Sequence, residues 1–301
     1  MTLPPPVELS VVVPAVNTLS DLVDCLDALD AQRGDVKLEA IVVNRLGPEL
    51  HRSVEHRFPW AQTIDVPSHT TIPDMRAAGF RVATGAAVAV IEDHVIVPRG
   101  WARRMLDALA GGQQVVGGSV ENAATGSLLD WGAFLCEYSH CIPPIASGSV
   151  SWLTGNNVVY RKDLLDAHRE DVEAGKWENH LHDRLRAEGV ELHCRPEIIV
   201  GHKKHYTYGE YLSQRYLYAR SYAGARVSGA SMAKRLAYGA AAFALPPLLL
   251  YRTVARIAGK KKHVGVLLKS LPLICTFVLS WSAGEVVGYL AGPGDSLSKV
   301  C

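Results

Sequence analysis

The sequence predicts an α/β fold with a mainly parallel central sheet, followed by hydrophobic helices. Two observations carry this. Short apolar runs alternate with helical patterns over the first two-thirds of the chain, and the composition turns apolar and charge-poor after about residue 230. The implied domains are residues 1–230 and a helical region, 231–301. With 301 residues, 48% hydrophobic and 20% charged, the chain can fill a sizeable core. Its 31 basic and 30 acidic residues give no global field to steer it onto nucleic acid. Cys25, Cys136, Cys141, Cys194, Cys275 and Cys301 form no CxxC pair, which argues against a zinc finger, an iron–sulfur cluster or a small disulfide scaffold. Reduced thiols are expected. Met1–Glu8 has no basic start before a long apolar run, so no export signal is expected.

Each element has its own signal. Leu9–Pro14 reads as a buried strand. Leu19–Ala31 reads as a helix, with Ser20, Asp21 and Asp24 near its start and Leu22, Leu26 and Leu29 on one stripe. Leu38–Val43 and Thr63–Val66 are strands, Asp74–Thr84 a helix and Ala86–Ile91 a strand. Trp101–Leu109 and Gln114–Val120 repeat the alternation. From Asn122 to Ser151 the rhythm breaks in a Gly-, Ser- and aromatic-rich stretch with the Pro143–Pro144 pair, which predicts an irregular connection or lid. Asn157–Tyr160, Lys176–Glu188, Glu197–Val200 and Tyr208–Val227 then read as strand, helix, strand and long helix.

The tail holds two charge-free runs, Leu236–Tyr251 of 16 residues and Ser270–Gly284 of 15. Both fall short of the roughly 20 residues that cross a bilayer comfortably, and Pro246–Pro247 breaks the first. Basic residues, including Lys260, Lys261 and Lys262, lie between them. A two-span hairpin would place that cluster outside, against the positive-inside tendency. Helices lying in or dipping into the cytoplasmic leaflet keep it beside anionic headgroups. Buried helices of a soluble protein are the alternative.

Glu92-Asp93-His94 directly follows an apolar run, so it lies at the carboxyl end of a strand, the edge that faces the ligand crevice in open α/β sheets. Two carboxylates and an imidazole suit Mn²⁺ or Mg²⁺ bridging a diphosphate. A solvated turn opening the next helix is the other reading. Glu178 is either a catalytic carboxylate or a first-turn glutamate complementing its helix dipole. Lys203 and Lys204 offer point charges for phosphates, or belong to a basic surface loop. His180, His182 and Asp183 lack zincin spacing and read as a helix face. Arg215, with Tyr211, Tyr216, Tyr218 and Tyr222, can line a phosphate- or headgroup-facing surface or dock its helix on a domain.

Five ordered segments extend this reading. Glu8–Asn17, Met75–Gly85, Ala86–Trp101, Gly155–Arg161 and Trp177–Gly189 resemble an inverting family 2 glycosyltransferase with the GT-A nucleotide-sugar-binding fold, over about 220 residues. The resemblance puts Pro14, Asn17, Asn44 and Arg76 on the donor side. Asp93 with Glu92 or His94 becomes the metal motif, and His202 closes it. Asn156 and Asn157 fall on the acceptor side, and Glu178 becomes the base. The chain departs from the family where Val43-Asn44-Arg45-Leu46-Gly47 replaces an aspartate-rich turn, where Glu-Asp-His replaces aspartate–x–aspartate, and where Glu178-Asn179 replaces an acidic pair.

The resemblance, taken with the apolar and basic tail, implies a membrane-associated enzyme transferring a hexosyl or related sugar from a nucleotide-sugar donor. Its acceptor would be lipid-linked, a glycolipid or a polysaccharide, reached at the cytoplasmic face of the cell membrane. The runner-up is a catalytically weak member of the fold that binds a nucleotide sugar or scaffolds a membrane assembly. A nucleotidyltransferase would carry a Gly-rich loop after its first strand, and Val11–Leu19 has none.

Overall fold

The computed structural model describes residues 6–300; Cys301 and the first five residues lie outside. Packing divides the chain into two units, one of residues 1–123 and 143–203, the other of residues 124–142 and 204–301. The division therefore falls near Lys203 rather than at residue 230, because the long helix after it packs with the apolar tail, and an internal segment joins them.

In chain order the elements are β1 (Leu9–Ala15), α1 (Leu19–Asp30), β2 (Leu38–Asn44), α2 (Pro48–Arg57), β3 (Ala61–Asp65), α3 (Ile72–Val82), β4 (Ala87–Val90), β5 (Val95–Ile96), α4 (Trp101–Ala110) and β6 (Val115–Asn122). Then follow α5 (Leu128–Tyr138), β7 (Gly148–Val150), β8 (Val158–Arg161), α6 (Lys162–Ala167), α7 (Arg169–Val172), α8 (Glu178–Ala187) and β9 (Leu192–His202). The tail holds α9 (Tyr208–Arg226), α10 (Met232–Ala241), α11 (Leu245–Lys260), α12 (Val264–Ala291) and α13 (Ser296–Lys299).

In the first unit the strands form one mixed, mostly parallel sheet in the order β3-β2-β1-β4-β8-β6-β9-β5, with β7 also on β9. The run β3-β2-β1-β4 is parallel, as crossover βα units require. Leu9–Ala15 is buried at every position, which explains its unbroken apolar run. Thr18 caps α1 in a capping box with Asp21. The helix α2 escapes an apolar-pattern reading because only Leu50 and Val54 are buried along it.

Two expectations change. The stretch after Asn122 is not wholly irregular: Ser127 caps α5 by accepting from the Asp130 amide, and β7 adds a short edge pairing. The strand expected at Glu197–Val200 is 11 residues long, since β6 and β9 stay paired across a register shift at Gly118/Ser119. That shift admits Pro196, whose carbonyl takes the Ser119 hydroxyl at 2.9 Å.

In the second unit α12 is 28 residues long and, among the described residues, the one helix long and apolar enough to cross a membrane by length and composition. Counting charge-free residues alone understates it, because Lys269 is exposed and Glu285 is paired inside the unit. The first run is broken as expected: Ala242–Ala244 forms a 3₁₀ turn, and Pro246 and Pro247 sit in the first turn of α11, where a missing N–H costs little. Small residues bring α12 onto α9. A Cβ on Gly284 would lie 2.3 Å from the Tyr216 carbonyl oxygen, and one on Gly288 2.6 Å from that of Arg220. Glu285 faces protein: its carboxylate takes Trp281 Nε1 at 2.8 Å and the Tyr289 hydroxyl at 2.7 Å, with Arg226 at 3.4 Å.

Candidate active site

The carboxyl ends of β1 and β4 lie side by side, and the turn after β4 carries Glu92, Asp93 and His94 into β5. There Val95 pairs with His202, so the last residue of β9 stands opposite the turn. His94 Nε2 lies 2.9 Å from His202 Nε2, and Glu92 Oε2 lies 3.4 Å from the first and 3.8 Å from the second. Three donor atoms thus converge on one point.

Asp93 does not stand where the metal motif of the resemblance would have it. It has no exposed surface. One carboxylate oxygen accepts the Val16 and Asn17 amides at 2.7 and 2.8 Å, and the other takes Asn17 Nδ2 at 2.6 Å and faces His94 Nδ1 at 3.0 Å. Asp93 therefore fastens the loop after β1 to the metal turn and orients the His94 ring, as carboxylates behind ligating histidines do. Replacing it by Asn should lower metal affinity roughly 10–100-fold while the donor-side carboxylate Glu92 remains, a change that calorimetric titration of Mn²⁺ checks.

The electrostatics of the cluster call for positive charge. Burial acts to raise the Glu92 carboxyl, but the hydrogen bond from His94 and the charges of His94, His202 and Arg76 bring it down to about 2. Burial acts to lower His94, and Asp93 and Glu92 override it, lifting the imidazole to about 9. Two ring nitrogens facing each other need a proton or a cation between them, and the ionised Glu92 completes the donor set. One carboxylate with two imidazoles fits Mn²⁺ better than Mg²⁺, which prefers oxygen ligands.

Beside this cluster stands a buried ion pair. Arg76 of α3 donates from Nη1 to Glu178 Oε2 at 2.6 Å, their side chains 9% and 15% exposed. Glu178 opens α8 behind Trp177, whose ring lies 5.9 Å from the guanidinium. Gly155 makes room for the pair, since a Cβ there would sit 2.7 Å from both the Arg76 Nη1 and the Glu178 carboxyl carbon. Its neighbour Asn156 donates to Glu92 Oε2 at 3.2 Å and so links the pair to the metal cluster. A pocket runs under the pair, with Phe80, Tyr160 and Lys176 among its lining residues. His182 is no metal ligand here: it is buried against the Tyr160 hydroxyl at 2.8 Å, and burial pushes it down to about 4.

The remaining sequence-selected residues divide. Asn17 joins the site through Asp93 and also meets His94 Nδ1 at 3.0 Å. Pro14 is a buried position of β1 paired with Val43. Asn44 is committed to its own turn: Nδ2 donates to the Gly47 carbonyl and to Asp65, and Oδ1 accepts the Leu46 amide. Asp65 was missed by the sequence reading. It supplies a carboxylate at the sheet edge where β2 has none, and only the register Asn44 to Asp65 between β2 and β3 reveals it. Lys203 is held by Asp24 at 2.6 Å. Arg215 lies in the second unit, 4.1 Å over the Trp281 ring.

Asn157 is a correction. Its Oδ1 accepts Trp101 Nε1 at 3.0 Å, and its Nδ2 donates to the Ser119 and Ile198 carbonyls across the β6–β9 irregularity, leaving nothing for an acceptor. Asn157→Ala should cost about 2–4 kcal/mol of stability through orphaned buried groups, read by denaturant unfolding.

A mixed, mostly parallel sheet with a carboxylate–histidine turn at its strand ends defines a GT-A type glycosyltransferase fold. The chain belongs to glycosyl transferase family 2, whose model matches residues 10–168. Among solved structures, it is similar to the mannosyltransferase PcManGT from Pyrobaculum calidifontis, solved with GDP-Man and Mn²⁺. That match has 14% identity and a TM-score of 0.57 and covers 93% of this chain and 87% of the other. TarS (residues 1–349) from S. aureus matches with 12% identity and a TM-score of 0.51, over 93% and 90% of the two chains. No curated protein matches the chain by sequence.

Proposed function

We propose that this enzyme transfers a hexosyl or related sugar from a nucleotide-sugar donor to an acceptor hydroxyl, with inversion and with a divalent cation. The acceptor would be lipid-linked, a glycolipid or a polysaccharide, used at the cytoplasmic face of the cell membrane. The observation that carries the reading is the convergence of Glu92, His94 and His202 beside the Arg76–Glu178 pair. The complex of PcManGT with GDP-Man and Mn²⁺ supports a nucleoside diphosphate sugar and favours Mn²⁺.

Glu92, His94 and His202 would hold the cation, which when bound neutralises charge developing on the leaving diphosphate. Asp93 and Asn17 keep the turn in place. Arg76 orients Glu178 by donating to Oε2, leaving Oε1 to take the acceptor's proton as the new bond forms. One carboxylate opposite the leaving group suffices for a single in-line displacement with inversion.

A panel of nucleotide sugars with Mn²⁺ or Mg²⁺ and membrane lipid extract tests this, reading sugar release and product mass. One donor should give a product heavier by one sugar. Donors that bind without any turnover would leave the weak or scaffolding member as the better description.

A further inference from the structure

We infer that α12 lies flat in the surface of an anionic bilayer, as a monotopic helix, rather than crossing it. The inference rests on the proposal that the enzyme works at a membrane, and it concerns the second unit alone.

Of the exposed residues of α12, Leu268, Pro272, Leu279, Ala283 and Leu290 are spaced four and seven apart and so lie on one face, with the exposed Lys269 at its flank. This stripe is apolar throughout and about 33 Å long at 1.5 Å per residue. Leu268 and Leu279 are 61% and 57% exposed. The helices α10 and α11, which pack on α12, add the exposed Leu236 and Tyr251, and Phe243 between them is 75% exposed. Water is a poor neighbour for such a face.

Its other side decides how it meets the bilayer. Phe277 packs on Tyr211, Ser280 donates to the Leu212 carbonyl, and Gly284 and Gly288 press against Tyr216 and Arg220. The segment of α12 from Phe277 to Gly288 is thereby sealed to α9, which carries Gln214, Arg215, Arg220 and Arg226 along its length. A spanning α12 would draw these groups into hydrocarbon, at a cost of several kcal/mol for each charge. Lying flat, α12 immerses its stripe and leaves α9 above the headgroups.

Charge selects the lipid. Residues 227–284 hold eight basic and no acidic residues. Lys234, Arg252, Arg256, Lys261 and Lys269 are exposed, whereas Lys260 is committed to the His140 and Ile142 carbonyls. An anionic headgroup layer matches this face.

The test uses the full chain. Flotation with phosphatidylglycerol-containing vesicles should show binding that falls sharply with phosphatidylcholine alone. Phe243→Glu/Leu268→Glu/Leu279→Glu should weaken binding roughly a hundredfold, with Mn²⁺-dependent donor binding and melting temperature unchanged. Gly265→Cys and Asp295→Cys, each in a chain whose native cysteines are replaced by serine, should both react with an impermeant maleimide from the cytoplasmic side of sealed membranes. Position 265 has open space for the new side chain.

Labelling of the two positions from opposite sides would overturn the inference in favour of a span. Failure of the wild type to float, or a concentration-dependent dimer that the triple variant dissociates, would overturn it in favour of solvent or a second copy. Vesicle binding that follows the stripe in a protein transferring no sugar would support this surface while removing the catalytic reading.

Discussion

Glu178→Gln is expected to cut sugar transfer by about 10²–10⁴-fold at saturating donor, the usual scale for a lost general base. Donor affinity should change little, because taking the acceptor's proton is an interaction of the transition state. The substitution also removes the partner of the nearly buried Arg76, and breaking such a pair typically costs about 3–5 kcal/mol. Thermal unfolding must therefore accompany the kinetics. Glu178→Asp keeps a charge for Arg76 and should be both more stable and more active than the Gln variant. Near-full transfer by a folded Gln variant, with chemistry shown to be rate-limiting, would take the base role from Glu178.

The second large effect concerns the cation. Chelation should stop transfer, and Mn²⁺ should restore it at lower concentration than Mg²⁺, because two of the three donor atoms are imidazole nitrogens. His202→Ala should weaken Mn²⁺ binding by more than the roughly 10–100-fold that follows loss of an outer partner. The ring reaches the cluster from β9, and its removal leaves the Asp93–Asn17 fastening intact. Its fold should therefore persist, which circular dichroism checks. Equal Mn²⁺ affinity in wild type and variant would exclude His202 from the site.

Much of the first unit was legible because its strands are buried on both faces and its helices are striped. Leu9–Ala15 and Ala87–Val90 are buried at every position, and α1 hides Leu22, Leu26 and Leu29. Helix α2 was not legible, since its burial rests on two residues, nor was α5, whose glycine and aromatics looked like loop composition. The Glu92–His94 turn was legible by its place after an apolar run. The division of labour within it was not, because only a fold shows that Val16 and Asn17 aim their amides at Asp93 and leave the ligand position to His94. Asn157 illustrates the same limit. Its neighbour Asn156 reaches Glu92 while Asn157 is consumed by two carbonyls on different strands, and alternation along a strand cannot say which face holds the crevice. The Arg76–Glu178 contact joins positions 102 residues apart, beyond any local pattern.

Glu92, His94 and His202 are proposed to hold a divalent cation on which donor binding depends. Isothermal titration of the donor found by the nucleotide-sugar panel, into metal-stripped protein with and without Mn²⁺, tests it most directly, with a His94→Ala/His202→Ala variant alongside. Tight binding is expected only for the wild type with Mn²⁺, and weak, metal-indifferent binding for the variant. Equal donor affinity with and without Mn²⁺ in both proteins would contradict it.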